Sequence, residues 1–186
     1  TGDKKYLDAA HRQWQVLREN FDPENGWVVM LAFGHCSVQS ESGRCRGNNM
    51  YMLGFTLTAL ARYHRITGDP EVLKALSTGL DQMIREAWSE KDKSFYLTSC
   101  RHAQTSPAPA YSSVTFHVSE ALAYESKLTG DKEHLRILRE SLRHGIAAGI
   151  KSMDAHESIG QTGYYSGSFL FPAFALPELE NDASSR

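Results

Sequence analysis

Leu-Thr-Ala-Leu-Ala-Arg-Tyr-His-Arg-Ile-Thr-Gly-Asp-Pro-Glu-Val-Leu, from Leu57 to Leu73, holds the end of one helix, a tight turn and the start of the next. Gly68 can take the left-handed conformation that ends a helix. Asp69 can accept from the free N–H groups of the following helix, and Pro70 sits at the first helical position, where a missing N–H costs nothing. The tripeptide Thr-Gly-Asp recurs at residues 1, 67 and 129. Apolar residues follow each copy in one register: Leu7, Leu73 and Leu135, then Ala10, Leu76 and Leu138, then Trp14, Leu80 and Leu142. Steps of three and four residues trace one helix face. Each Thr-Gly-Asp therefore reads as a turn between antiparallel helices.

The helices on either side of these turns differ. After the second turn, Leu73, Leu76, Leu80, Met83, Ile84 and Ala87 form one apolar stripe, with Glu71, Lys74, Gln82 and Arg85 elsewhere. That pattern predicts an outer helix with a single buried face. The preceding stretch, Met50 to Ile66, is apolar around most of its circumference, as is Ser112 to Leu128. Both read as inner helices buried on several sides. Gly163 to Leu176 is a further apolar segment, which Pro172 should kink or end. Long connections are expected over Phe21–Asn48, Ser89–Tyr111 and Lys151–Thr162. In alternating hairpins the long connections gather at one end of the molecule, and long loops carry function more often than short ones.

The fold expected is all-α: repeated antiparallel helix hairpins forming part of an α/α-toroid, as one domain over residues 1–186. The first repeat lacks its inner helix and the last lacks its outer one. The chain also opens at Thr1 without an initiating Met. Both features lead to the expectation of a fragment of a larger ring.

Composition narrows the function classes. The 186 residues are 41% hydrophobic, enough for a core, so a disordered chain is excluded. Twenty basic against 22 acidic residues leave a net charge of −2. Nucleic-acid binders usually carry a basic excess, so no nucleic-acid partner is expected. No apolar run reaches the roughly 18 residues of a membrane span, and no membrane partner is expected. Three cysteines exclude a disulfide-dense scaffold.

Repeating hairpins with the Leu57–Leu73 sequence resemble the α/α-toroid, or six-hairpin, proteins. That superfamily includes many glycoside hydrolases, polysaccharide lyases and sugar epimerases, along with toroids of unrelated chemistry, and fold does not fix function. The resemblance implies an oligo- or polysaccharide partner and secretion or a periplasmic location. It carries no family catalytic residue onto this sequence.

The candidate site residues lie on the three long connections and the helix starts that follow. The first connection offers Trp27 as a sugar platform or lid, then His35, Arg44, Arg46, Asn48, Asn49 and Tyr51 for substrate binding. The second offers Arg101 for binding, with His102, Tyr111 and His117 as catalytic candidates. The third offers Tyr164 and Tyr165. Asn, His, Tyr and Arg together suit β-elimination or epimerisation on a uronate. A cation or amide neutralises the carboxylate, and a Tyr or His removes the neighbouring proton. Arg pairs with carboxylate as a fork. Hydrolysis would need two acids on either side of the bond. Among Asp22, Glu24, Glu41, Glu90, Asp92, Asp154 and Glu157 no pair stands out, although a missing arc could hold one. The plainer reading is that loops are polar anyway.

No cofactor is expected: there is neither a phosphate-binding glycine loop nor a Gly-x-Ser-x-Gly elbow. Cys36, Cys45 and Cys100 with His35 or His102 would make four zinc ligands. The Cys-x-x-Cys spacing is absent, so no metal is assigned. Trp14 and Trp88 read as core. His11, His64, His134 and His144 read as surface or packing residues. Two further expectations stand beside the enzyme reading. One is a non-catalytic helical-repeat module that binds protein partners on its concave face. The other is that an open arc with an exposed inner helix pairs with a second copy.

Overall fold

A computed structural model describes residues 3–27, 29–30, 39–40, 43–44, 46–101, 104, 113–154, 173 and 175. Among the described residues five helices carry the fold: α1 (Lys4–Glu19), α2 (Met50–Thr67), α3 (Pro70–Ala87), α4 (Ser113–Thr129) and α5 (Lys132–Asp154). The connections contain short antiparallel pairs. β1 (Val29–Met30) pairs with β4 (Arg46–Gly47), β2 (Gln39–Ser40) with β3 (Gly43–Arg44), and β5 (Trp88–Ser89) with β6 (Ser94–Phe95). No helix among the described residues is long and apolar enough to cross a membrane.

The Thr-Gly-Asp turns form as the sequence requires. Gly68 and Gly130 have φ of 66° and 75°, the left-handed region. The Asp69 carboxylate accepts from Glu71 N–H at 2.9 Å, and Asp131 accepts from Glu133 and His134 at 2.8 and 2.9 Å. The threonines complete the device: Thr67 Oγ1 donates to Tyr63 O, and Thr129 Oγ1 donates to Glu125 O, both at 3.0 Å. Each hydroxyl also accepts from its aspartate's N–H. Asp3 caps α1 in the same way.

The apolar faces meet as the stripes predict. Leu57, Leu76, Leu80, Met83, Phe95, Phe116, Leu122, Ile137 and Leu138 are fully buried in one core. The inner helices α2 and α4 pack side by side, with α3 and α5 outside them. Gly54 permits a close approach, since a Cβ there would lie 3.4 Å from His117 Cβ. Thr58 Oγ1 then donates to His117 O at 2.5 Å across the same seam. Outer helix α1 buries only Trp14, and Arg18 pairs with Glu71 of α3.

Two expectations are revised. α5 continues to Asp154, so the third long connection begins later than Lys151. The connections before α2 and after α3 contain the paired strands, where the helical pattern predicts only long connections. Ala173 and Ala175 are helical; the rest of Gly163 to Leu176, including Pro172, lies outside the described residues.

Candidate functional site

The first two long connections meet at the N-terminal end of α2. Met50 N–H donates to Leu97 O at 2.9 Å, and Ser99 N–H donates to Asn48 O at 3.0 Å. Asn48 N–H also donates to Ser99 Oγ at 2.7 Å. Gln104 Nε2 donates to Thr98 O and Glu86 O, tying the second connection back to the end of α3. The β5–β6 hairpin that leads into this junction is pinned to α5. Arg136 contacts Glu90, Glu133 and Glu140, and Lys93 contacts Glu90 and Glu140. Arg136, then Lys93 and Trp88, pull the Glu90 carboxyl down to about 2.

Beside this junction an aromatic and imidazole cluster forms. Phe55 and His117 stack with centroids 3.8 Å apart and planes 28° from parallel. Tyr51 stands edge-on to Phe55 at 5.7 Å and 6.1 Å from the His117 ring. Phe55 and Met52 are exposed, Tyr51 is half-buried and His117 is buried. Helical spacing brings Tyr51, Met52 and Phe55 onto neighbouring parts of one helix end. The close approach at Gly54 brings α4 alongside.

Burial pushes the His117 imidazole down to about 4. His117 is therefore uncharged at neutral pH, as desolvation disfavours the cation. The unfolded histidine would take a proton near 6.5, whereas the folded one takes it only near 4. Between those values the unfolded chain binds more protons, so stability falls as pH falls. Imidazole NMR titration should show one histidine silent until about pH 4. Replacing His117 with Asn should flatten the acid limb of the stability curve. A His117 midpoint near 6.5 would contradict this.

The other candidates divide three ways. Asn48 and Asn49 lie at the junction in structural roles. Asn49 caps α2, its Oδ1 accepting from Tyr51 and Met52 N–H at 3.1 and 3.4 Å, and Asn48 Nδ2 donates to Trp27 O. Trp27 is a packing residue rather than a platform. Its ring is buried against Phe21 and over Gly79, and its indole N–H donates to Leu17 O at 2.9 Å. Arg101 is exposed just past the junction, and the backbones of Arg44 and Arg46 lie in β3 and β4. His35, His102, Tyr111, Tyr164 and Tyr165 lie outside the described residues, as do Cys36 and Cys45. Cys100 is buried.

Of the loop acids, Asp22 accepts from Glu24 and Asn25 within its own turn, and Asp92 accepts from Ser89 Oγ. No group of three or more His, Cys, Asp or Glu that could hold a metal occurs among the described residues. Phe55 was not singled out from the sequence. Its signal was its place four residues after Tyr51 on an inner helix.

No protein-family model matches the chain, and no curated protein does. Eight chains of solved structures match, among them the following two. One is a sugar epimerase from a ruminal bacterium, with TM-score 0.54 and 21% identity over 76% of this chain and 37% of that one. The other is a D-mannose isomerase, with TM-score 0.42 and 16% identity over 76% of this chain and 52% of that one. The chain thus spans roughly a third to a half of their lengths. The fold is all-α, built of antiparallel helix hairpins, and the epimerase shares it.

Proposed function

We propose that this chain is a carbohydrate-active domain, part of a polysaccharide lyase, sugar epimerase or glycoside hydrolase, with its site at the N-terminal ends of α2 and α4. The observation that carries this reading is the cluster of Tyr51, Phe55 and His117 beside the junction of the two connections. Exposed aromatic faces such as Phe55 suit the C–H faces of a sugar ring. The sharing of the hairpin fold with a sugar epimerase supports it.

His117, uncharged at neutral pH, offers a lone pair or an N–H to a sugar hydroxyl, or accepts a proton leaving carbon next to a carbonyl. It cannot supply the cation that would neutralise a uronate carboxylate. That part would fall to arginines such as Arg44, Arg46 and Arg101. His102 and Tyr111 remain the partners proposed for proton transfer.

The test is a thermal-shift titration of the folded protein against neutral and acidic oligosaccharides. A ligand at a hundred times its Kd adds about 2.7 kcal/mol. For a chain of this size that raises the midpoint by roughly 5 to 11 °C. One sugar class should give a dose-dependent shift that Phe55→Ala and His117→Ala each abolish. A flat response across the panel from a well-folded sample would sink the reading.

A further inference from the structure

Away from the candidate site, at the end of the molecule that carries the Thr-Gly-Asp turns, a polar group is buried where three helices meet. His134, in the first turn of α5, is buried, and both of its ring nitrogens face carboxylate oxygens. Nδ1 lies 2.7 Å from Glu125 Oε2 on α4, and Nε2 lies 3.1 Å from Asp81 Oδ1 on α3. The Glu125 carboxylate is itself buried, and its other oxygen accepts from Ser77 Oγ of α3 at 2.6 Å. A neutral imidazole has one N–H and one lone pair, so it can satisfy only one of two carboxylates. Only the doubly protonated ring donates to both.

We propose that His134 is a pH-sensitive latch: its imidazolium ties α5 to α3 and α4, and its deprotonation on the alkaline side releases that tie. The groups facing it are Asp81 from α3, Glu125 from α4 and Asp131 from the turn, all acidic. On its own helix Glu133 is paired with Arg136, which also holds Glu90 and Glu140. Burial alone would push the imidazole down. The hydrogen bond to Glu125 and the charges of Glu125, Asp131 and Asp81 outweigh it, and the net displacement is upward.

The sign follows from linkage. Below about 6.5 the folded and unfolded chains both carry the proton, and the contribution is fully present. Between 6.5 and the folded midpoint only the folded chain holds it. There the unfolding equilibrium constant rises by up to about tenfold per pH unit. His117 acts in the opposite direction, on the acid side.

The experiment is imidazole nitrogen NMR on the intact chain, paired with urea unfolding from pH 6 to 9. At pH 7 both His134 nitrogens should carry protons, with one midpoint above 6.5. Asp81 is exposed at the rim, so its replacement should leave the fold intact. Asp81→Asn should lower that midpoint, and His134→Gln should remove the alkaline slope of stability. Should His134→Gln fail to fold, the wild-type titration and Asp81→Asn decide alone. A singly protonated ring at pH 7, a midpoint at or below 6.5, or an unchanged alkaline slope in His134→Gln would overturn the latch.

Discussion

Replacing Trp27 with alanine is expected to destabilise the fold by about 3–5 kcal/mol, the range for a buried large aromatic. For a chain of this length that is a fall of roughly 6 to 20 °C in midpoint. The indole joins the end of α1 and the turn after it to α3, which is distant in sequence. Its N–H donates to Leu17 O at the end of α1, and its ring packs on Phe21 at 4.7 Å. Across the core, Gly79 of α3 leaves the space the ring occupies, since a Cβ there would lie 2.9 Å from Trp27 Cζ3. The backbone is held too. Trp27 N–H donates to Gln82 Oε1 at 3.0 Å, and Gln82 Nε2 donates back to Trp27 O at 2.7 Å. Truncation leaves a cavity between α1 and α3 that these bonds keep from collapsing. Trp27→Phe should cost less, retaining most of the packing and losing the Leu17 bond. A sugar platform would behave differently, with an unchanged midpoint and lost ligand binding. Thermal unfolding of the two variants, read against the oligosaccharide titration, separates these outcomes.

Trp27 also shows where the sequence stops being informative. The Thr-Gly-Asp turns were legible because all their chemistry is local: a glycine at positive φ, an aspartate two residues before the N–H it caps, and a threonine four residues after the carbonyl it bonds. The inner and outer helices were legible because burial follows helical period. Trp27 beside Gly26 reads as a loop aromatic, because the partner that fixes it, Gln82, is 55 residues away. His134 is hidden for the same reason. The two acids that its ring nitrogens face lie on the preceding helix and on α3, so period alone places it among ordinary helix residues. Asn49 carries a second signal: an asparagine directly before an apolar helical run is an N-cap, and its Oδ1 caps α2. At the candidate site, His117 and Tyr51 are legible in the sequence as polar residues near helix starts. Phe55 was passed over because an apolar residue on an inner helix is by default core, and nothing local says that this one reaches the surface.

The inner-helix pair α2 and α4 should respond unequally to the loss of either half of one ion pair. Arg62 grips Glu120 with three hydrogen bonds, Nε at 3.1 Å to each oxygen and Nη2 at 2.6 Å. The two partners sit in different surroundings: the Glu120 side chain is 1% exposed and that of Arg62 is 46% exposed. Arg62→Ala leaves a carboxylate buried between helices with Arg65 only at 3.8 Å, beyond hydrogen-bonding distance. Breaking a buried pair from that side costs about 3–5 kcal/mol, and the Arg65 charge, still within ion-pair distance, puts the expectation near the lower end. Glu120→Gln keeps the shape, removes the buried charge and leaves a guanidinium that water already reaches. Its cost should be about 1 kcal/mol, the scale of a typical net hydrogen bond. The double variant Arg62→Ala/Glu120→Gln should then be more stable than Arg62→Ala alone, because the buried charge that Arg65 only partly compensates is gone. Urea unfolding of the four proteins gives the cycle directly. Equal losses from the two single changes would mean that the carboxylate is better solvated than its position between α2 and α4 allows. The seam would then rest on Gly54 and the Thr58–His117 bond, with little from the ion pair.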